Sequence, residues 1–85
     1  VILPDDPPLG EPWDLPFARC PLAFLDCEMT GADPARDALV EVAVTRVEAG
    51  AAVASWSTLL RAEVPTHPAA FALHGIGPEA IAAAP

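Results

Sequence analysis

Apolar and polar positions divide the chain into a proline-broken leader and a patterned body. Leu22-Ala23-Phe24-Leu25 is a continuous apolar run ending in Asp26-Cys27-Glu28, which predicts a strand over 22–28 buried on both faces. Thr30-Gly31-Ala32-Asp33-Pro34 carries turn chemistry. From Leu39 to Glu48 the positions alternate, with Val40, Val42 and Val44 on one side and Glu41 and Thr45 on the other. That period of two belongs to a half-buried strand. Ala49-Gly50-Ala51 predicts a turn, and 53–61 returns with Trp56 and Leu60 on one face and Val53 and Leu59 on the other. These last two strands form a hairpin, and strand 22–28 completes a three-stranded start to a sheet. Pro65 and Pro68 break the pattern and open a loop expected to run through Gly77. A helix starts after it: Gly77 is an acceptable N-cap, Pro78 suits the first helical position, and Glu79 suits the positive end of the dipole.

Residues 1–21 hold six of the eleven prolines, together with Asp5, Asp6, Glu11 and Asp14 and no base before Arg19. Proline removes ladder donors and the acids repel one another, so this segment is expected to be a disordered leader. The body is therefore 22–85, about the size that folds alone only when its faces are well covered. Three strands have two faces, and two turns of one helix cannot cover them. The chain starts without Met and stops just after a helix begins. It reads as a fragment of a larger domain.

Four Arg and no Lys stand against 12 Asp plus Glu, for a net charge of −8. A chain so acidic does not hold nucleic acid by bulk positive charge alone. Ala fills 18 positions while Lys, Asn, Gln and Tyr are absent, a skew that fits a biased genome better than a functional demand. No apolar stretch approaches the roughly 20 residues of a membrane span, and the start lacks the basic region of a signal peptide. Cys20 and Cys27 lie about 20 Å apart along extended chain, too far for a disulfide. With His67 and His74 they form no zinc pattern, and a reducing, cytoplasmic setting is the default.

Asp26 and Glu28 are the first candidates for chemistry. At i and i+2 on a strand they project from the same face, about 6.5–7 Å apart at Cα. Two carboxylates converging at the end of an apolar strand can share hard divalent cations, which prefer oxygen ligands. Taken alone, Asp-x-Glu is better explained by two solvated acids where a strand meets a turn.

The surrounding residues decide between these readings. Phe24-Leu25-Asp26-Cys27-Glu28-Met29-Thr30-Gly31-Ala32-Asp33-Pro34, followed by Asp37-Ala38-Leu39-Val40-Glu41-Val42-Ala43, resembles the first motif of the DEDD (DnaQ-like) 3′–5′ exonucleases. This superfamily includes the proofreading subunits of bacterial DNA polymerase, ribonuclease T and oligoribonuclease. Pro68-Ala69-Ala70-Phe71-Ala72-Leu73-His74-Gly75-Ile76 is similar to the family's Ile-His-Gly-Ile-Thr segment, which precedes a short helix closed by proline, here Ala84-Pro85.

The resemblance, over 22–85, implies an α/β ribonuclease H-like fold around a mixed five-stranded sheet. It implies hydrolysis of 3′-terminal phosphodiesters to nucleoside 5′-monophosphates by two Mg²⁺ or Mn²⁺ ions, one to activate water and one to stabilise the leaving 3′ oxygen. Four acids hold the ions in the family; Asp26 and Glu28 match the first two and are the expected catalytic and metal-binding residues. Met29, Thr30 and His74 match positions that meet the terminal nucleotide. A His74 that packs mainly on substrate should raise KM when lost and leave the melting temperature unchanged. The implied partners are the 3′ end of single-stranded DNA or RNA and a DNA polymerase.

Departures from the pattern set the alternatives. The second and third motifs, with the remaining acids and the general base, do not occur in these residues; Asp33 and Asp37 belong to the turn. The chain alone is therefore expected to be inactive. Gly77 stands where the family has Thr. Asp-Cys-Glu-Met-Thr-Gly is similar to oligoribonuclease, while His74-Gly75-Ile76 and Ala84-Pro85 favour the proofreading branch. A non-catalytic remnant of the fold that binds nucleic acid or plays a structural part is the rival of another class. His67 is expected to be a solvated loop residue, and Cys27, Trp56 and Phe71 core residues.

Overall fold

The computed structural model describes residue 5 and residues 8–85; leader residues 1–4, 6 and 7 lie outside the described residues. Three strands and two short helices follow one another: β1 (Leu22–Met29), β2 (Leu39–Glu48), β3 (Ala51–Leu59), α1 (Pro68–His74) and α2 (Pro78–Ala83). The strands form one antiparallel sheet in the order β1-β2-β3. Within the leader, the described residues make a turn closed by Trp13 N–H to the Gly10 carbonyl and a single 3₁₀ turn over Phe17–Arg19.

The β2–β3 reversal is tight because Ala49 and Gly50 both take positive φ, 50° and 78°, so Glu48 pairs directly with Ala51. Two successive left-handed residues give the turn whose twist matches that of the flanking strands. β3 thus begins at Ala51 and ends at Leu59, two residues earlier at each end than alternation predicts. The β1–β2 register shifts between Glu28 and Met29: Glu28 pairs with Glu41, and Met29 with Leu39. Val40 is the extra residue at this bulge, and it is fully buried. A bulge at a strand end re-aims the side chains beside it.

The chain also differs from the sequence expectation in one further element and in burial. The stretch from Pro65 to Gly77, expected as a loop, contains α1. Pro68 opens this helix at a first-turn position, His67 caps it by accepting from the Ala69 N–H at its ring nitrogen, and Gly75 closes it at φ 67°. Proline removes a donor that a first turn never uses, so here it initiates rather than breaks. Second, β1 is not buried on both faces. It is an edge strand, and Phe24 and Leu25 are 58% and 66% exposed. Cys27, Trp56 and Phe71 are likewise exposed rather than core. Among the described residues the buried ones are Val40 at the bulge, Thr30 just after β1, and Ile81 and Ala84 in and just after α2.

Candidate active site

Alternation along β1 puts Phe24, Asp26 and Glu28 on one face, opposite Thr45, Ala43 and Glu41 of β2. The next strand continues the row beyond Ala43 with Ser57. Small side chains therefore flank Asp26, whose carboxylate is exposed. Glu28 is half-buried and sits directly across from half-buried Glu41. Like charges so paired have Cβ atoms roughly 5 Å apart and repel. Among the described residues the ion pair joins Arg46 to Glu48, so neither Asp26 nor Glu28 is neutralised by a cation of this chain.

Beside Glu28 the chain folds into a cleft of about 780 Å³ whose lining includes Glu28, Met29, Arg36, Asp37, His67 and His74. Asp26 lies outside it. One wall is the loop from Thr30 to Ala38, closed at its neck by the Thr30 N–H on the Ala38 carbonyl at 2.9 Å. Within it, Asp33 caps a turn through Pro34, accepting at its side chain from Ala35 N–H and at its carbonyl from Arg36 and Asp37 N–H. Asp37 returns its carboxylate to the Thr30 hydroxyl and the Asp33 N–H, both at 2.9 Å. These bonds lower its pKa below 3.8, first through the Asp33 N–H and then through Thr30; desolvation opposes them, and the charges of Arg36 and His67 assist.

The opposite wall is α1. Its last residue, His74, places Nε2 3.0 Å from the Met29 carbonyl oxygen, and its Nδ1 accepts from the Ile76 N–H at 3.0 Å. With Nδ1 an acceptor, Nε2 carries the hydrogen and donates to Met29. At the other end of α1, the His67 N–H donates to the Thr30 carbonyl at 2.7 Å. Both ends of the helix are thus tied to consecutive residues of β1's end. His67 is exposed, as its sequence position suggests, and it also caps α1 and lines the cleft.

The structure brings Glu28, Met29 and His74 to one cleft, keeps Asp26 beside it on the sheet face, and buries Thr30 behind it. The Thr30 hydroxyl is used inside the chain, donating to Asp37 and accepting from the Ala38 N–H. The sequence pattern assigns Asp37 to the turn alone and gives Glu41 and Arg36 no part in the site. Glu41 could have been found only by pairing the strands, whereas Asp37 was visible as an acid closing the turn that Asp33-Pro34 opens.

The donor chemistry of Asp26 and Glu28 suits a hard divalent cation: two unneutralised carboxylates project from one face. Their number does not complete a site, and among the described residues no three acidic, histidine or cysteine side chains converge as ligands. Nor is any described helix long and apolar enough to cross a membrane.

Comparison with known proteins places the chain in a family. A product-bound exonuclease I has the same fold over 78% of this chain, with a TM-score of 0.68 at 21% identity. The match spans 16% of that chain, so the present residues correspond to a small part of it. Strand, strand, strand and helix follow in the order of the ribonuclease H-like exonuclease fold. No curated protein matches in sequence. The ribonuclease T exonuclease family model matches residues 23–85, and the chain belongs to that family of exonucleases.

Proposed function

We propose that these residues form the opening part of a metal-dependent 3′–5′ exonuclease that releases nucleoside 5′-monophosphates from a single-stranded 3′ end. The observation that carries this reading is the placement of Asp26 and Glu28 on one face of β1, beside a cleft walled by Met29, the loop after it and His74. Asp26 and Glu28 would hold Mg²⁺ or Mn²⁺ together with acids from outside these residues. Such ions activate water and stabilise the leaving oxygen. The chain's own residues receive the strand end: the Met29 backbone and the His74 ring form the wall beside Glu28, and Arg36 offers a positive charge to phosphate. DNA is the preferred substrate, on the His74-Gly75-Ile76 segment, and a DNA polymerase is the fitting partner.

The test uses the whole protein that contains these residues, a 5′-labelled single strand of DNA or RNA, and Mg²⁺ or Mn²⁺. Stepwise shortening from the 3′ end, halted by chelator, is expected, and the 85-residue chain should do none of it. Internal cleavage, shortening from the 5′ end, or equal activity with chelator would overturn the reading.

A further inference from the structure

We propose that Asp37 is a positioning residue: through the Thr30 hydroxyl it holds the Met29–Gly31 backbone where the strand end is received. This rests on the functional reading above and changes the part played by Thr30. That side chain has no exposed surface, so it cannot itself touch a substrate. Its hydroxyl is engaged twice inside the chain, giving its hydrogen to Asp37 Oδ1 at 2.9 Å and accepting from the Ala38 N–H at 3.0 Å. The second carboxylate oxygen of Asp37 accepts from the Asp33 N–H at 2.9 Å, which ties the far end of the loop to the same group.

Gly31 shows how closely the carboxylate fits. A Cβ built there would stand 2.5 Å from Asp37 Oδ2 and 2.8 Å from Oδ1, closer than any real contact. The carboxylate occupies the space a side chain would need, so residue 31 must be glycine for Asp37 to reach Thr30. From Thr30 the constraint passes outward in both directions. Its carbonyl receives the His67 N–H at 2.7 Å, and the adjacent Met29 carbonyl receives His74 Nε2 at 3.0 Å. One carboxylate therefore supports, from the loop side, the junction of β1, its loop and both ends of α1. Removing it leaves a buried hydroxyl hydrogen without its acceptor, and the backbone must move to find another.

Steady-state kinetics and thermal melting of the whole enzyme test this with Asp37→Ala, Asp37→Asn, Thr30→Val and Thr30→Ser. Loss of either side of the pair should raise KM about tenfold with kcat changed much less, since one buried hydrogen-bond partner corresponds to roughly that factor. Thr30→Val and Asp37→Ala should act through the same path, so the double variant should be no worse than the worse single one. Thr30→Ser keeps the hydroxyl and should recover most of the affinity. Should Asp37→Ala fail to fold, Asp37→Asn retains an oxygen for Thr30 and reads the same effect in milder form. A lowered melting temperature with unchanged KM overturns the proposal, as does an Asp37 effect that Thr30→Val does not reproduce. A wild-type enzyme without 3′–5′ activity overturns the functional reading and this proposal together; an active one with unmoved KM in the variants overturns this proposal alone.

Discussion

The His74 ring bridges two parts of the chain that lie 45 residues apart in sequence, donating from Nε2 to the Met29 carbonyl while Nδ1 accepts from the Ile76 N–H. Each bond is partly buried and contributes about 0.5–1.5 kcal/mol net. In the whole enzyme, His74→Ala should therefore lower stability by about 1–3 kcal/mol in denaturant melts as well as raise KM. The expectation of an unchanged melting temperature does not allow for these bonds. With both ring nitrogens engaged, His74 is expected not to serve as the general base, and the acidic limb of the kcat–pH profile, which reports ionisation of that base, should survive. Loss of that limb at unchanged stability would contradict the geometry.

Glu28 faces Glu41 across the β1–β2 pair, a repulsion of about 0.2–1 kcal/mol in the absence of a cation. Glu28→Gln in the whole enzyme should abolish hydrolysis yet leave the metal-free melting temperature unchanged or slightly raised. Asp26→Asn lies opposite Ala43 and should abolish hydrolysis with no change in melting. Single-turnover assays beside melts in chelator check both. A Glu28→Gln variant that melts well below wild type would show a structural acid instead.

Asp37 gives the fold a pH dependence. Its pKa is lowered in the folded chain from 3.8, first by the Asp33 N–H and then by Thr30. A carboxylate with a depressed folded pKa stabilises fully above its unfolded value, and loses that contribution as pH falls through the folded one. The melting-temperature gap between wild type and Asp37→Asn should thus be widest above about pH 5 and close progressively below about pH 4. A gap that stays constant down to pH 2.5 would place the effect of Asp37 outside its charge.

Arg36 is the one arginine of the four that lines the cleft. If it meets a phosphate, Arg36→Ala should raise KM at low salt and reduce the salt dependence of log KM by about 0.7 per decade, the increment for one contact on a single strand. Titration of KM from low to high salt decides this. An unchanged slope would remove Arg36 from the substrate's path.

Much of the local structure follows from residues close together in the chain. Alternation from Leu39 to Glu48, the Ala49-Gly50 turn and the Gly77-Pro78 helix start each rest on neighbours within a few positions, and the structure has all three. α1 was also legible, since Pro68 at a first turn and Gly75 past a last turn bracket it. Pro68 initiates α1 where a breaker was expected because the effect of proline depends on whether a donor is needed, and a helix start needs none.

By itself, then, the sequence determined the strands, the face shared by Asp26 and Glu28, and the turn chemistry of 30–34, because backbone period and glycine or proline conformation are local properties. Tertiary structure decided which residues meet. The register with its bulge at Val40 placed Glu41 against Glu28; the closure of the 30–38 loop drove the Thr30 hydroxyl onto Asp37; and the docking of α1 spent both nitrogens of His74 inside the chain. It also left Phe24 and Leu25 open on an edge strand. Burial depends on what lies across the face, and period two says only which residues share that face, not what covers them.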